Sequence, residues 1–91
     1  MANIGQFKVG KVWKKLDEVT GYSFVADSSY TIQNKGYQPL YLCIKADAPT
    51  TDKIGFIIQQ NEKVGYTCES GNFLWIRSEK NVAEFNVAEG V

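Results

Sequence analysis

Residues Ser29–Lys45 read SYTIQNKGYQPLYLCIK, and the fold follows from this stretch. In its first part Tyr30 and Ile32 alternate with Thr31 and Gln33, the period of a strand with one face in a core. Asn34-Lys35-Gly36 is turn chemistry: asparagine bonds its own backbone locally, and glycine accepts conformations closed to other residues. Pro39 then opens a second run, in which Leu40, Leu42 and Ile44 share one face and Tyr41, Cys43 and Lys45 the other. Two strands and a turn within so short a stretch predict an all-β chain.

The pattern continues towards the C-terminus. Ala46–Ile54 (ADAPTTDKI) reads as a loop, interrupted by Pro49. Gly55–Gln59 is a strand, Asn61-Glu62-Lys63 a turn, and Val64–Cys68 is expected to return as the second arm of a hairpin. Glu69–Asn72 turns around Gly71. Phe73–Arg77 is β-prone and apolar on both faces. In Val82–Ala88, Ala83, Phe85 and Val87 share a face. Towards the N-terminus, Tyr22–Val25 is a short β-rich run. Turn signals recur about every ten residues, as in a sandwich or small barrel. The expected fold is therefore an antiparallel β-sandwich of about seven short strands, Ig-like or jelly-roll-like, with an SH3-like or OB barrel as the alternative.

Met1–Thr20 has a different character. Val12, Leu16 and Val19 recur at i, i+4 and i+7 with Trp13 alongside, so Lys11–Val19 suits a short amphipathic helix; an extended segment fits equally well. A tryptophan among aliphatics is unusual cargo for a free tail. The chain is accordingly divided into a docking arm, residues 1–20, and a β-domain, residues 21–91. The arm docks either on its own domain or on an adjacent subunit through Trp13, Leu16 and Val19. If it docks on a neighbour, its deletion leaves a folded domain.

Composition removes several classes of function. The 91-residue chain suits one domain, and its ten basic and ten acidic residues cancel. No global field therefore draws it to nucleic acid or to an anionic membrane, and neither partner is expected. No signal-peptide core and no membrane-length apolar run is present, which predicts a protein made in a cytoplasm with Cys43 and Cys68 reduced. The chain has no histidine. That removes the usual neutral-pH base, the common triads and the HExxH zinc motif, and two lone thiols make a weak zinc site. The acids lie in turns or alternate outward, no phosphate-binding glycine loop is seen, and Asp47 with Asp52 does not match a calcium loop. We expect neither enzyme activity nor a cofactor or metal.

Binding is the remaining class. Phe73–Ile76, Leu40–Ile44 and Phe56–Ile58 carry apolar residues on both faces, so one face is core and the other needs a cover. Contact between subunits supplies a cover for all three, with Tyr37, Tyr41 and Trp75 as the β-domain contacts. Alternatively those three aromatics form a stacking platform for a sugar in a receptor- or glycan-binding module.

The order of short motifs also resembles a family. Tyr30-Thr31-Ile32-Gln33-Asn34-Lys35-Gly36 followed by Pro39-Leu40-Tyr41-Leu42 is similar to small virion proteins of tailed bacteriophages. The similarity continues through Ala48-Pro49-Thr50, Gly55-Phe56, Leu74-Trp75-Ile76-Arg77-Ser78 and Phe85-Asn86-Val87-Ala88-Glu89, and touches the arm at Trp13-Lys14-Lys15-Leu16. The resemblance implies a capsid-decoration or head- or tail-fibre subunit that forms homo-oligomers, often trimers, and binds the major capsid protein or another virion protein. Its place would then be the virion, assembled in the host cytoplasm. It assigns no catalytic residue and no role to the cysteines.

Overall fold

The structure, a computed structural model, describes residues 3–50 and 55–90. Its elements are β1 (Asn3–Val9), β2 (Lys14–Lys15), α1 (Leu16–Thr20), β3 (Ser29–Asn34), β4 (Leu40–Lys45), β5 (Phe56–Ile58), β6 (Lys63–Thr67), β7 (Phe73–Ser78) and β8 (Ala83–Glu89). They build two four-stranded sheets, ordered β1-β8-β3-β6 and β2-β7-β4-β5. Every neighbouring pair is antiparallel. Strands alternate between the sheets along the chain, except that β4 and β5 stay together. That order is a jelly roll, an eight-stranded sandwich, and the sheets do not close into a barrel.

Alternation places the core as expected. Tyr30, Ile32 and Asn34 of β3 face inward beside Phe85 and Val87 of β8. Across the sandwich, Leu40 and Leu42 of β4 and Leu74 and Ile76 of β7 complete the interior. Ile44 shares their face but lies at the rim, where it is exposed.

Two expectations need correction. β5 and β6 do not form a hairpin: β5 pairs with β4 in one sheet and β6 with β3 in the other. The intervening turn crosses between sheets, so that Ile58 and Tyr66 both reach the core from opposite sides. Tyr22–Val25 is not a strand. Its rings instead pack edge-on into an aromatic group, with Phe24 4.8 Å from Tyr30 and 4.9 Å from Tyr22, and the Val25 N–H donates to the Tyr30 hydroxyl at 3.0 Å.

Of the two arrangements open to the arm, docking on its own domain is the one seen. β1 forms the edge of one sheet along β8, and β2 the edge of the other along β7. Between β2 and the β2–β3 loop, α1 turns inward so that Leu16 is fully buried. Gly21, in the left-handed region at φ 68°, ends the helix and donates to the Asp17 carbonyl at 2.8 Å. Val9 and Leu16 belong to the main core, and Val19 packs against it.

One end of the sandwich is tied by a buried amide. The Asn34 side chain is fully buried and donates through Nδ2 to the carbonyls of Gln38 (2.8 Å) and Ile58 (3.0 Å). Its Oδ1 accepts the Gly36 N–H at 3.0 Å. Its backbone N–H donates to Glu62, and its carbonyl accepts from Asn61. One residue thus joins the β3–β4 loop, β5 and the β5–β6 turn. Nearby, Gly55 is the residue the backbone demands, because a Cβ there would lie 2.0 Å from the Leu42 carbonyl oxygen.

Two outcomes follow. Deleting residues 1–20 removes one edge strand of each sheet and the buried core side chains of Val9 and Leu16, so the truncated chain should lose its cooperative thermal transition by circular dichroism. A sharp transition near that of the intact chain would show that the arm is dispensable. Asn34→Ala strands two buried carbonyls and one N–H, and should cost about 3 kcal/mol in urea unfolding.

Candidate functional site

The two sheets present very different outer faces. On the β2-β7-β4-β5 sheet, Phe73, Trp75 and Arg77 of β7 point outward beside Lys45, Cys43 and Tyr41 of β4. Lys15 of β2 pairs with Trp75 on the other side. The Lys15 ammonium lies 4.0 Å from the centre of the Phe73 ring and 5.6 Å from that of Trp75. The Arg77 guanidinium lies 5.0 Å from the centre of Tyr41 and 5.7 Å from that of Trp13. These are cation–π distances. Arg77 Nε also donates to the Lys11 carbonyl at 2.8 Å, and Trp75 Nε1 to the Lys45 carbonyl at 3.1 Å. Trp75 is only 7% exposed and Arg77 5%.

This changes the standing of the residues expected to bind partners. Trp75 is covered within its own chain, with the Lys15 ammonium over its ring, and offers little surface to a neighbour or a sugar. Tyr41 shares its face, half-buried under Arg77. Tyr37 is not on this strand face but in the β3–β4 loop, and it is 87% exposed. The three aromatics therefore do not form one platform. Of the arm residues, Leu16 is core, Val19 is half-buried against it, and Trp13 is half-buried over Arg77. Leu16 is unavailable to a neighbour without opening the domain.

Among the described residues the fold exposes Val25, Ile44 and, in β5, Phe56 and Ile57, and it places three further apolar residues at the Asn34 end. Tyr37 is joined there by Val12 of the β1–β2 loop, 69% exposed, and Val82 of the β7–β8 turn, 53% exposed. Backbone hydrogen bonds hold these loops side by side. Ser78 N–H donates to Gly10, Glu79 N–H to Pro39, and Lys35 N–H to Glu84. The β7–β8 turn thus lies between the other two loops. Val12 and Val82 were not singled out by sequence. Their signal was weak: an isolated valine beside turn residues, in Gly10-Lys11-Val12 and Lys80-Asn81-Val82.

Burial, with a hydrogen bond to Cys68 as the second cause, pushes the Tyr66 phenol well above its ordinary range. Cys43 and Cys68 are both free. No group of three or more His, Cys, Asp or Glu side chains suited to a metal gathers among the described residues. Asp52, considered above with Asp47, lies outside them. Among the described residues no helix is long and apolar enough to cross a membrane. No family model, curated protein or solved structure matches the chain.

The cation–π layer has a direct test. Arg77→Ala should destabilise the fold by about 2–3 kcal/mol, since it removes two ring contacts and leaves the Lys11 carbonyl without its donor. Arg77→Lys should recover only part of that, because an ammonium lacks the planar stacking surface. Urea unfolding followed by fluorescence reads both, the chain having two tryptophans, Trp13 and Trp75.

Proposed function

We propose that this chain is a non-catalytic structural subunit of a phage particle, a capsid-decoration or fibre-base protein that binds copies of itself and other virion proteins. One observation carries the binding part of this reading: Val12, Tyr37 and Val82 are each exposed, on three loops tied to one another by backbone hydrogen bonds. Large apolar side chains held on a rigid surface favour association, because little ordering remains to be done when they are covered. The loops around them carry Lys11, Lys35 and Lys80 as well as Glu62, Glu79 and Glu84, a mixed rim that repels neither a second copy nor a neutral partner.

The virion placement rests on the order of motifs from Tyr30 to Glu89 and on analogy, the jelly roll being an architecture of viral capsid domains. In this reading the docking surface is the loop end, in place of the arm and Trp75.

Light scattering over a range of concentrations should give a mass that is a multiple of the 10.2 kDa chain. Tyr37→Ser combined with Val82→Asp should reduce it to one chain with unfolding unchanged. A wild-type protein that stays monomeric throughout would refute self-association. Mass spectrometry of phage particles purified from cells carrying the gene tests the placement, which fails if the chain is absent from them.

A further inference from the structure

The outer face of the β1-β8-β3-β6 sheet holds a groove of about 440 Å³, lined by residues of β3, β6 and β8. Strand register explains its shape. One transverse row runs Gln6, Asn86, Gln33, Lys63 across all four strands. The adjacent row runs Asn3, Ala88, Thr31, Gly65. Small residues therefore make a floor at Ala88, Thr31 and Gly65, and a wall of amide side chains rises beside it. No aromatic or acidic side chain lines this groove.

We propose that this groove is a binding site for a neutral carbohydrate, a function separate from docking at the loop end. The argument rests on the chemistry of the lining. Asn86 is half-buried, and its amide makes no hydrogen bond to any described residue. Gln33 donates through Nε2 to the Asn61 carbonyl at 3.1 Å, which fixes the side chain and leaves Oε1 as an acceptor. The Thr31 hydroxyl donates to the Gly90 carbonyl at 2.6 Å and keeps its oxygen lone pairs. An amide offers two donors and an acceptor that takes two bonds, all uncharged, and adjacent hydroxyls on a sugar ring both donate and accept. Above Gly65 and Ala88 the floor has no bulk to hold off the C–H face of a ring.

Other occupants fit less well. A peptide strand added to a sheet needs unpaired backbone groups, which here lie along the outer edge of β6; over the floor itself β3 and β8 are paired on both sides and offer only side chains. An anionic polymer would meet one cation, Lys63, at one end of the amide row. An apolar ligand would leave the amides unpaired, and a buried amide without partners costs about 1–3 kcal/mol. The volume lies within the range of ordinary ligand sites.

The test is a nitrogen-15 NMR titration of the full chain with neutral oligosaccharides of glucose, mannose, galactose, xylose and N-acetylglucosamine. A charged hyaluronan fragment and the protein alone at rising concentration serve as the other arms. At least one neutral sugar should give saturable shifts confined to Thr31, Gln33, Gly65, Asn86, Ala88 and their neighbours. Asn86→Ala should weaken that binding about tenfold, or ~1.4 kcal/mol. Ala88→Phe should abolish it by filling the floor, and Tyr37→Ala should leave it unchanged. The inference is overturned if no neutral sugar gives saturable shifts, if the shifts map elsewhere, or if they survive Asn86→Ala. Response to hyaluronan alone, or shifts at this groove produced by protein concentration alone, would overturn it equally.

Discussion

The side chain of Asn34 is the constraint on which the arrangement depends. A buried amide is stable only when its donors and acceptor are matched, and an unmatched one costs about as much as a small domain can spare. Here each is matched by a different part of the chain: Gln38 before β4, Ile58 in β5 and Gly36 in the turn. These partners lie in the loop that crosses from one sheet to the other and in a strand of that second sheet. Matching the amide therefore sets the position of one sheet relative to the other. Apolar packing has no such directional demand, and Ile32 or Val87 would tolerate a small slip of the sheets.

From that fixed end follow the surfaces available to partners. The β1–β2, β3–β4 and β7–β8 connections meet beside the Asn34 knot and are bonded to one another, so their apolar tips are displayed on a stiff support. The sheet faces are used differently. One carries rings already engaged by Lys15 and Arg77, and the other carries amides and small residues with hydrogen-bonding capacity to spare. A single sandwich thus presents an apolar loop end, an aromatic face on which Trp75 is covered while Ile57 stays exposed, and a polar face of amides and small residues.

Much of this was legible in the chain, and the failures share one cause. Period-two alternation identifies which residues of a strand face inward, and it did so for Tyr30 and Ile32, Leu40 and Leu42, and Ala83, Phe85 and Val87. It carries no information about which strand lies alongside. Hence β5 and β6, joined by a short turn, looked like a hairpin although they lie in different sheets. The same limit hid β1. Phe7 and Val9 alternate with Gln6 and Lys8 as a strand should, but the helical spacing of Val12, Leu16 and Val19 further along is the stronger signal in the segment. That spacing was real only over the last stretch, where α1 covers Leu16–Thr20.

The aromatic face shows why strands apolar on both sides are weak indicators of a partner subunit. The inference from Phe73–Ile76 was that a face bearing Phe73 and Trp75 needs a cover, and the need is real. What alternation could not disclose is that the cover comes from residues classed as charged. Lysine and arginine carry long apolar stems, and their cationic heads are attracted to ring faces, so they can shield an aromatic surface while remaining partly in water. Lys15 reaches Phe73 and Trp75 only because β2 pairs with β7, and Arg77 meets Trp13 only because the loop after β1 folds over it. Both conditions belong to the topology of the N-terminal segment. Had that segment been a detached arm, Trp75 would have stood open and the case for a neighbouring subunit there would have been sound. Because it supplies an edge strand to each sheet, it also covers Trp75, and the most exposed apolar side chains of the described residues, Tyr37 and Val12, stand at the loop end instead.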